Sequence, residues 1–183
     1  MVILTGVLLL ATPNRIQHRF RELATGNIAL LQQQQFSPDI YFNAWEFRLL
    51  QFRFVPEILN EQKGWITGTG AGHAQTLLDK KYTELNMYQG VAGSGKKGYL
   101  GYHTHDQWLQ SLLEAGLAGL FAFSLLAYFL IRICIRQRST TCTFMTLSLL
   151  AFSFTDAVLA SQYGIMLFLF FIHFFYIKPG TNT

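Results

Sequence analysis

Charge is scarce in this 183-residue sequence: 13% of residues are Asp, Glu, Lys or Arg, against about a quarter in an ordinary soluble domain. Cysteine is scarcer still. Cys134 and Cys142 are the only two, both stand beside a basic cluster, and neither is expected to form a structural disulfide, so the long polar segment has no covalent framework. A complete phosphate-binding loop is also missing. "GVAGSGKK", Gly90 to Lys97, follows G-x-x-x-x-G-K-[ST] up to its last position, where Lys97 replaces the hydroxyl that would hold magnesium. Its flanks, "KKYTELNMYQ" and "GYLGYHTH", supply neither the apolar strand nor the amphipathic helix start that such a loop joins. A solvated connection is the expectation, and nucleotide chemistry is set aside. No internal repeat occurs, and "QQQQ" at 32–35 reads as a solvated helix face.

Apolar residues are abundant and unevenly placed. Hydrophobic residues make up 51% of the chain, with 17 Phe. They concentrate in "MVILTGVLLLA" at the start and in "AGLAGLFAFSLLAYFLIRI", "TFMTLSLLAFSF" and "YGIMLFLFFIHFFYI" after residue 114. Ala115 to Ile135 is interrupted only by Arg132 and, at about 1.5 Å per residue, covers the roughly 30 Å hydrocarbon core of a bilayer. Thr141–Phe154 and Tyr163–Ile177, joined by "TDAVLASQ", read as an out-and-back hairpin. Val2–Ala11 lacks the charged start and small-residue cleavage pattern of a signal peptide, and reads as the remnant of a spanning helix whose beginning is missing.

The expected fold is therefore an all-α multi-pass integral membrane protein with three to four transmembrane helices and a large, mostly helical outer loop. Its expected units are a partial membrane helix (1–12), the loop (13–110) and C-terminal membrane helices (111–183). Arg132, Arg136, Arg138 and Lys178 gather at the ends this topology places together, which makes that side cytoplasmic and the loop periplasmic in a bacterium. The loop's own Lys and Arg do not oppose this, because long loops translocate largely regardless of charge.

Within the loop, "NRIQHRFRELATG" reads as a basic amphipathic helix on the membrane surface. Asn43 and Glu46 form a capping-box start for a second helix, which Pro56 is expected to kink or end. Arg48 lies inside this aromatic-rich helix, and two readings stand: an arginine that snorkels at the interface, or a catalytic cation. Gly68, Gly70 and Gly72 permit a tight turn close to another backbone or a ligand, with His73 at the start of the helical segment that follows.

In "GYHTHDQWLQSLLEAGLAGLFAF", Thr104 and Gln107 form a capping pattern. The helix is expected to begin at about His105 and run on into the membrane, placing His105 at a helix N-terminus suited to a phosphate or diphosphate. Gly116 and Gly119 form a small-residue face for packing against another membrane helix. His103, His105 and Asp106 also have the residue types of a metal set, but too few ligands stand near them in sequence, and no metal or other cofactor is expected. Asp156 and Gln162 interrupt apolar sequence at an outer turn, where an acidic residue is either functional or a solvated turn residue.

Taken together, these features resemble the C-terminal part of the O-antigen ligase family, membrane glycosyltransferases that include related polymerases. "RLLQF" places Arg48 at the family arginine of an R-x-x-x-W pattern, with Phe52 for Trp. "GTG" at Gly68–Gly70 matches the family turn. "HDQWLQSLLEAGLAG" follows H-[NSQ]-x9-G-x-x-G from His105 to Gly116 and Gly119, with Asp106 in place of the usual amide or hydroxyl. "TDAVLASQYG" is similar to the family's late acidic turn, with Asp156 where Glu is common.

The resemblance implies an enzyme of the bacterial inner membrane that needs no metal and no nucleotide. It would transfer a glycan from undecaprenyl diphosphate to a hydroxyl of lipid A–core or another saccharide acceptor, in contact with membrane lipids and not with nucleic acid. It implies Arg48 and His105 as catalytic residues, with His105 acting as base or as phosphate donor. Arg53, Gly68, Gly70, His103, Asp106, Asp156 and Gln162 are the implied substrate contacts. Polymerisation of a carrier-linked glycan, and a fragment that only binds lipid-linked saccharide, are the alternatives, because family members carry further helices upstream of the loop.

Overall fold

Asn43 starts the first helix as its sequence foretold. The Asn43 Oδ1 accepts the amides of Trp45 and Glu46 at 3.0 and 2.9 Å, while Glu46 Oε2 accepts the Asn43 amide at 3.0 Å. The computed structural model describes residues 32–91 and 98–174. Its regular elements are helices: α1 (Ala44–Gln62), α2 (Ala71–Glu84), α3 (Gln107–Gln137), α4 (Thr140–Ser153), a 3-10 turn (Val158–Ala160) and α5 (Gln162–Ile172). The amphipathic segment after Pro13, the first apolar stretch, Lys178 and most of "GVAGSGKK" lie outside the described residues.

Pro56 does not end α1, which continues to Gln62 and closes at Lys63 in the left-handed conformation. Burial of the helix's long apolar face outweighs the one amide that proline removes. That face carries Phe47, Leu50, Phe54, Val55, Ile58 and Leu59, and packs with Ala74, Leu78 and Tyr82 of α2 and with Leu109 and Leu113 of α3 into one core. A second cluster joins Phe123, Leu130 and Cys134 of α3 to Leu149 of α4, Val158, and Phe168 and Phe171 of α5. The first turns of α3 thus belong to the core of the polar half. Trp108, on those same turns, packs against the second cluster.

At Gly116 the helix breaks. Its φ/ψ of 65° and −155° lie outside helical space, in a region open essentially to glycine alone. An unbroken helix would bond the Leu117 amide to the Leu113 carbonyl and the Ala118 amide to that of Glu114. Here the 64–70 loop inserts between them. Leu113 and Glu114 carbonyls accept the amides of Thr69 and Gly70 at 2.9 and 2.8 Å, and the amides of Leu117 and Ala118 donate to Trp65 and Ile66 at 2.8 and 3.3 Å. These four backbone groups freed by the break all find partners, which is how a kink inside an apolar helix is tolerated. A Cβ on Gly68 would collide with the backbone of Glu114 and Ala115, and one on Gly116 would lie 2.6 Å from the Gly68 nitrogen. Gly116 therefore faces the glycine turn of the polar half instead of a second helix.

Beyond the break, α3 is the one described helix long and apolar enough to cross a membrane. Its 21 residues after Gly116 cover about 30 Å. Phe121 and Phe144 point outward at 68% and 69% exposure, an apolar surface that water alone does not favour. The two later apolar stretches form α4 and α5, both shorter than a full span. Two expectations fail. Residues 32–35 are exposed but form no α-helix. Cys134 and Cys142 are joined in a disulfide with Cα atoms 5.3 Å apart, because the tight α3–α4 turn, capped by the Ser139 hydroxyl on the Cys142 amide, brings the helix ends together.

Candidate active site at the head of the long helix

The strand of chain before α3 is tied down at nearly every residue. The Phe42 amide donates to the Tyr99 hydroxyl at 2.8 Å, and the Gly101 amide to Asp79 at 2.8 Å. The Tyr102 carbonyl accepts from the buried Tyr82 hydroxyl at 2.9 Å and from Gln75 at 3.2 Å. Thr104 is fully buried, its hydroxyl 2.9 Å from both the Asp106 carbonyl and Gln110 Oε1. The helix start moves accordingly. Asp106, not Thr104, is the N-cap and accepts the Leu109 amide at 2.9 Å, because a carboxylate complements the positive end of a helix better than a hydroxyl does. His105 stands one residue outside, in the left-handed conformation with φ 51°.

That conformation turns the His105 ring toward Asp156. His105 Nδ1 lies 3.8 Å and His103 Nε2 3.6 Å from the same Asp156 oxygen, with the two imidazole centroids 4.3 Å apart. The rings of Phe47 and Tyr102 enclose His105 edge-on at 6.2 and 5.6 Å. Two side chains clip the Asp156 turn onto the head: Arg48 donates to the Thr155 carbonyl at 2.9 Å, and Gln107 accepts the Leu159 amide at 2.6 Å. Trp108 adds a third tie, stacking on Phe154 and donating to the Ser153 hydroxyl at 3.2 Å.

Proton positions follow from these bonds. His103 Nδ1 accepts the His105 amide at 3.1 Å, so a neutral His103 carries its proton on Nε2, facing Asp156. Asp156 faces Nδ1 of His105, which favours the proton there and leaves Nε2 as a lone pair. Burial, with the nearby charges of His103 and Arg48, holds His105 below its ordinary 6.5, against the opposing pull of Asp156. A neutral imidazole oriented by a carboxylate is the arrangement of a general base.

Arg48 and His105 line one cavity of about 330 Å³ with Tyr41, Asn43, Phe47 and Tyr102. The structure thus brings Arg48, His103, His105 and Asp156 together, from three separate stretches of the chain. It does not bring the others there. Arg53 pairs with Glu57 at 2.8 Å and donates to the Gln33 carbonyl. Gly68 and Gly70 seat the loop in the break of α3. Asp106 is buried under its own helix start, and that burial raises its carboxyl above the usual value despite the amides of Leu109 and Trp108. Gln162 opens α5 and is exposed. Sequence reasoning missed Gln107 and Tyr102 as builders of the site, since no local pattern marks a residue whose hydrogen-bond partners are 20 to 52 positions away.

Two imidazoles and a carboxylate, their ligand atoms within 4.8 Å of one another, are the donor types of a transition-metal site. Asp156 takes the place expected for Asp106 in that set. The donors do not fit as they stand, because the amide bond to His103 Nδ1 puts a proton on the Nε2 that would have to coordinate. The Arg48 cation also faces the same cavity. An acid–base cluster of two imidazoles, a carboxylate and a guanidinium accounts for the geometry better. Compared with known protein families, curated proteins and solved structures, the chain matches none.

Proposed function

We propose that the protein is a membrane glycosyltransferase of the O-antigen ligase type, moving a glycan from undecaprenyl diphosphate to a hydroxyl of lipid A–core. One observation carries the reading: Arg48 and a carboxylate-oriented, neutral His105 share a single aromatic-lined cavity at the head of a long apolar helix. His105 Nε2 would take the acceptor hydroxyl proton as the oxygen bonds to the sugar's anomeric carbon. The bond from that carbon to the diphosphate breaks, and the negative charge left on the carrier meets the fork of Arg48. The depressed basicity of His105 supports the base role over that of a cationic phosphate donor. The scheme draws on no metal ion and no nucleotide, since the sugar arrives activated on lipid.

The membrane reading, with α3, α4 and α5 in the bilayer and the head outside, rests on their apolar outward faces. Two features of the far end pull in opposite directions: the arginines favour the cytoplasm, the disulfide an oxidising compartment. Labelling of an added cysteine in the head by an impermeant maleimide on intact cells distinguishes them, and the proposed orientation requires labelling without permeabilisation.

The functional test is glycan transfer to lipid A–core in ligase-deficient cells. The chain should support it, and Arg48→Ala, present in membranes at equal level, should lower it by about 100-fold or more. Equal transfer by both refutes the assignment of Arg48. Growth of carrier-linked glycan without transfer to lipid A–core would make the protein a polymerase, and no product of either kind would leave a saccharide-binding protein.

A further inference from the structure

At the opposite end of α3 from the candidate site, a groove of about 620 Å³ is lined by Leu126, Phe129, Ile133 and Ile172, with Arg132 and Arg136 at its edge. The two arginines stand four residues apart, on one face of the helix, and both are exposed. No carboxylate is close to them in sequence. After Glu114 the chain contains one acidic residue, Asp156, and it is held against His103 and His105 at the head. Of the ten acidic residues, nine lie among the described residues, and none of these forms an ion pair with Arg132 or Arg136.

Depth sharpens the point. Counted from the break at Gly116, Arg132 lies about 24 Å and Arg136 about 30 Å along the helix. Arg132 therefore falls roughly one turn inside the far edge of the hydrocarbon, where a guanidinium needs an anion or must reach outward to the phosphate level. Arg136 sits one turn further out, at that level.

We propose that this groove is a binding site for an anionic phospholipid of the phosphatidylglycerol class. An acyl chain lies along Leu126, Phe129, Ile133 and Ile172, and the head-group phosphate bridges Arg132 and Arg136. One phosphate supplies the anion that the described residues do not offer these two arginines, and paired guanidinium groups suit phosphate oxygens better than a lone ammonium does. The inference rests on the membrane placement of α3 and is independent of the glycan-transfer chemistry.

The test uses the full chain purified in detergent and titrated with phosphatidylglycerol or phosphatidylcholine, with retained lipid counted by native mass spectrometry. Phosphatidylglycerol should bind about tenfold or more tighter than phosphatidylcholine. Arg132→Gln/Arg136→Gln should lose that preference, and Arg138→Gln, outside the groove, should keep it. Equal binding of the two lipids by the parent chain overturns the proposal whether or not the double variant folds. An undiminished preference in a folded double variant does so too, as does finding the groove taken by the chain's own apolar Val2–Ala11 segment through crosslinking. Alkaline carbonate extraction of membranes is the separate check on placement: release of the chain would remove the membrane reading itself, while transfer activity could fail with lipid binding intact.

Discussion

Gly116→Ala should uncouple the two halves of the molecule. In the native chain four backbone bonds cross between the 64–70 loop and α3: Thr69 to Leu113, Gly70 to Glu114, Leu117 to Trp65 and Ala118 to Ile66. An alanine has two ways to respond. Keeping the break holds a Cβ at φ 65° against Ile66 and Gly68, a conformation that costs about 1–3 kcal/mol before any clash. Straightening the helix restores two intrahelical bonds and forfeits four crossing ones, a net loss of two at about 1 kcal/mol each. Either way the variant should lose about 2–3 kcal/mol.

The second route also re-aims the apolar half relative to the head. Asp156 hangs from the α4–α5 connection and His105 from the chain before α3, so the angle at Gly116 sets their 3.8 Å separation. Glycan transfer should fall with stability, and the amides of Thr69 and Gly70 should lose protection from hydrogen exchange. Gly72→Ala is the control: a Cβ there meets nothing within 4 Å, and helix propensity makes it neutral or stabilising by up to about 1 kcal/mol. Gly116→Ala with parental melting temperature, protection and activity would refute the account of the break.

Other outcomes follow from the same contacts. Because His105 is held below 6.5, the acid limb of kcat/KM should fall below pH 6.5. Asp156→Asn removes the one neighbour that raises His105, so it should shift the limb lower still and lower the rate; an acid limb above 6.5 in the parent contradicts the neutral base. Lys81 bridges Glu57 and Glu61 at 2.9 and 2.8 Å, and Lys81→Met should cost about 1–2 kcal/mol in chemical denaturation, discounted for the partly exposed carboxylates. Burial would raise Glu57, but Arg53 and Lys81 together hold it below 4.5. Its contribution is therefore present above pH 4.5 and lost as pH falls through its lowered value, so the Lys81→Met deficit should shrink on acidification. Alkylation of denatured protein should find Cys134 and Cys142 blocked until reductant is added. The Cys134→Ser/Cys142→Ser pair should lose about 2–3 kcal/mol for so short a loop.

Much of this was legible locally. The Asn43 capping box and the apolar run after Ala115 announce themselves because a cap or a hydrophobic run is a property of neighbouring residues. Arg48, His103, His105 and Asp156 could each be singled out by residue type and setting. What no stretch of sequence carried was which of them meet. Asp106 looked as eligible as Asp156 beside the histidines, and the difference is that a carboxylate at a helix N-terminus is drawn to the free amides of its own first turn. Gly116 matched a pattern for helix packing, yet its partner was a glycine loop some fifty residues earlier, because the interrupted helix frees the carbonyls of Leu113 and Glu114 and the amides of Leu117 and Ala118, and that loop bonds all four. The two cysteines looked like free thiols until the α3–α4 turn set their Cα atoms 5.3 Å apart. The sequence by itself determined the helices and the apolar half of the chain, which depend on propensity and solvent. Only the tertiary structure decided the site, because hydrogen-bond and charge partners are chosen by proximity in space.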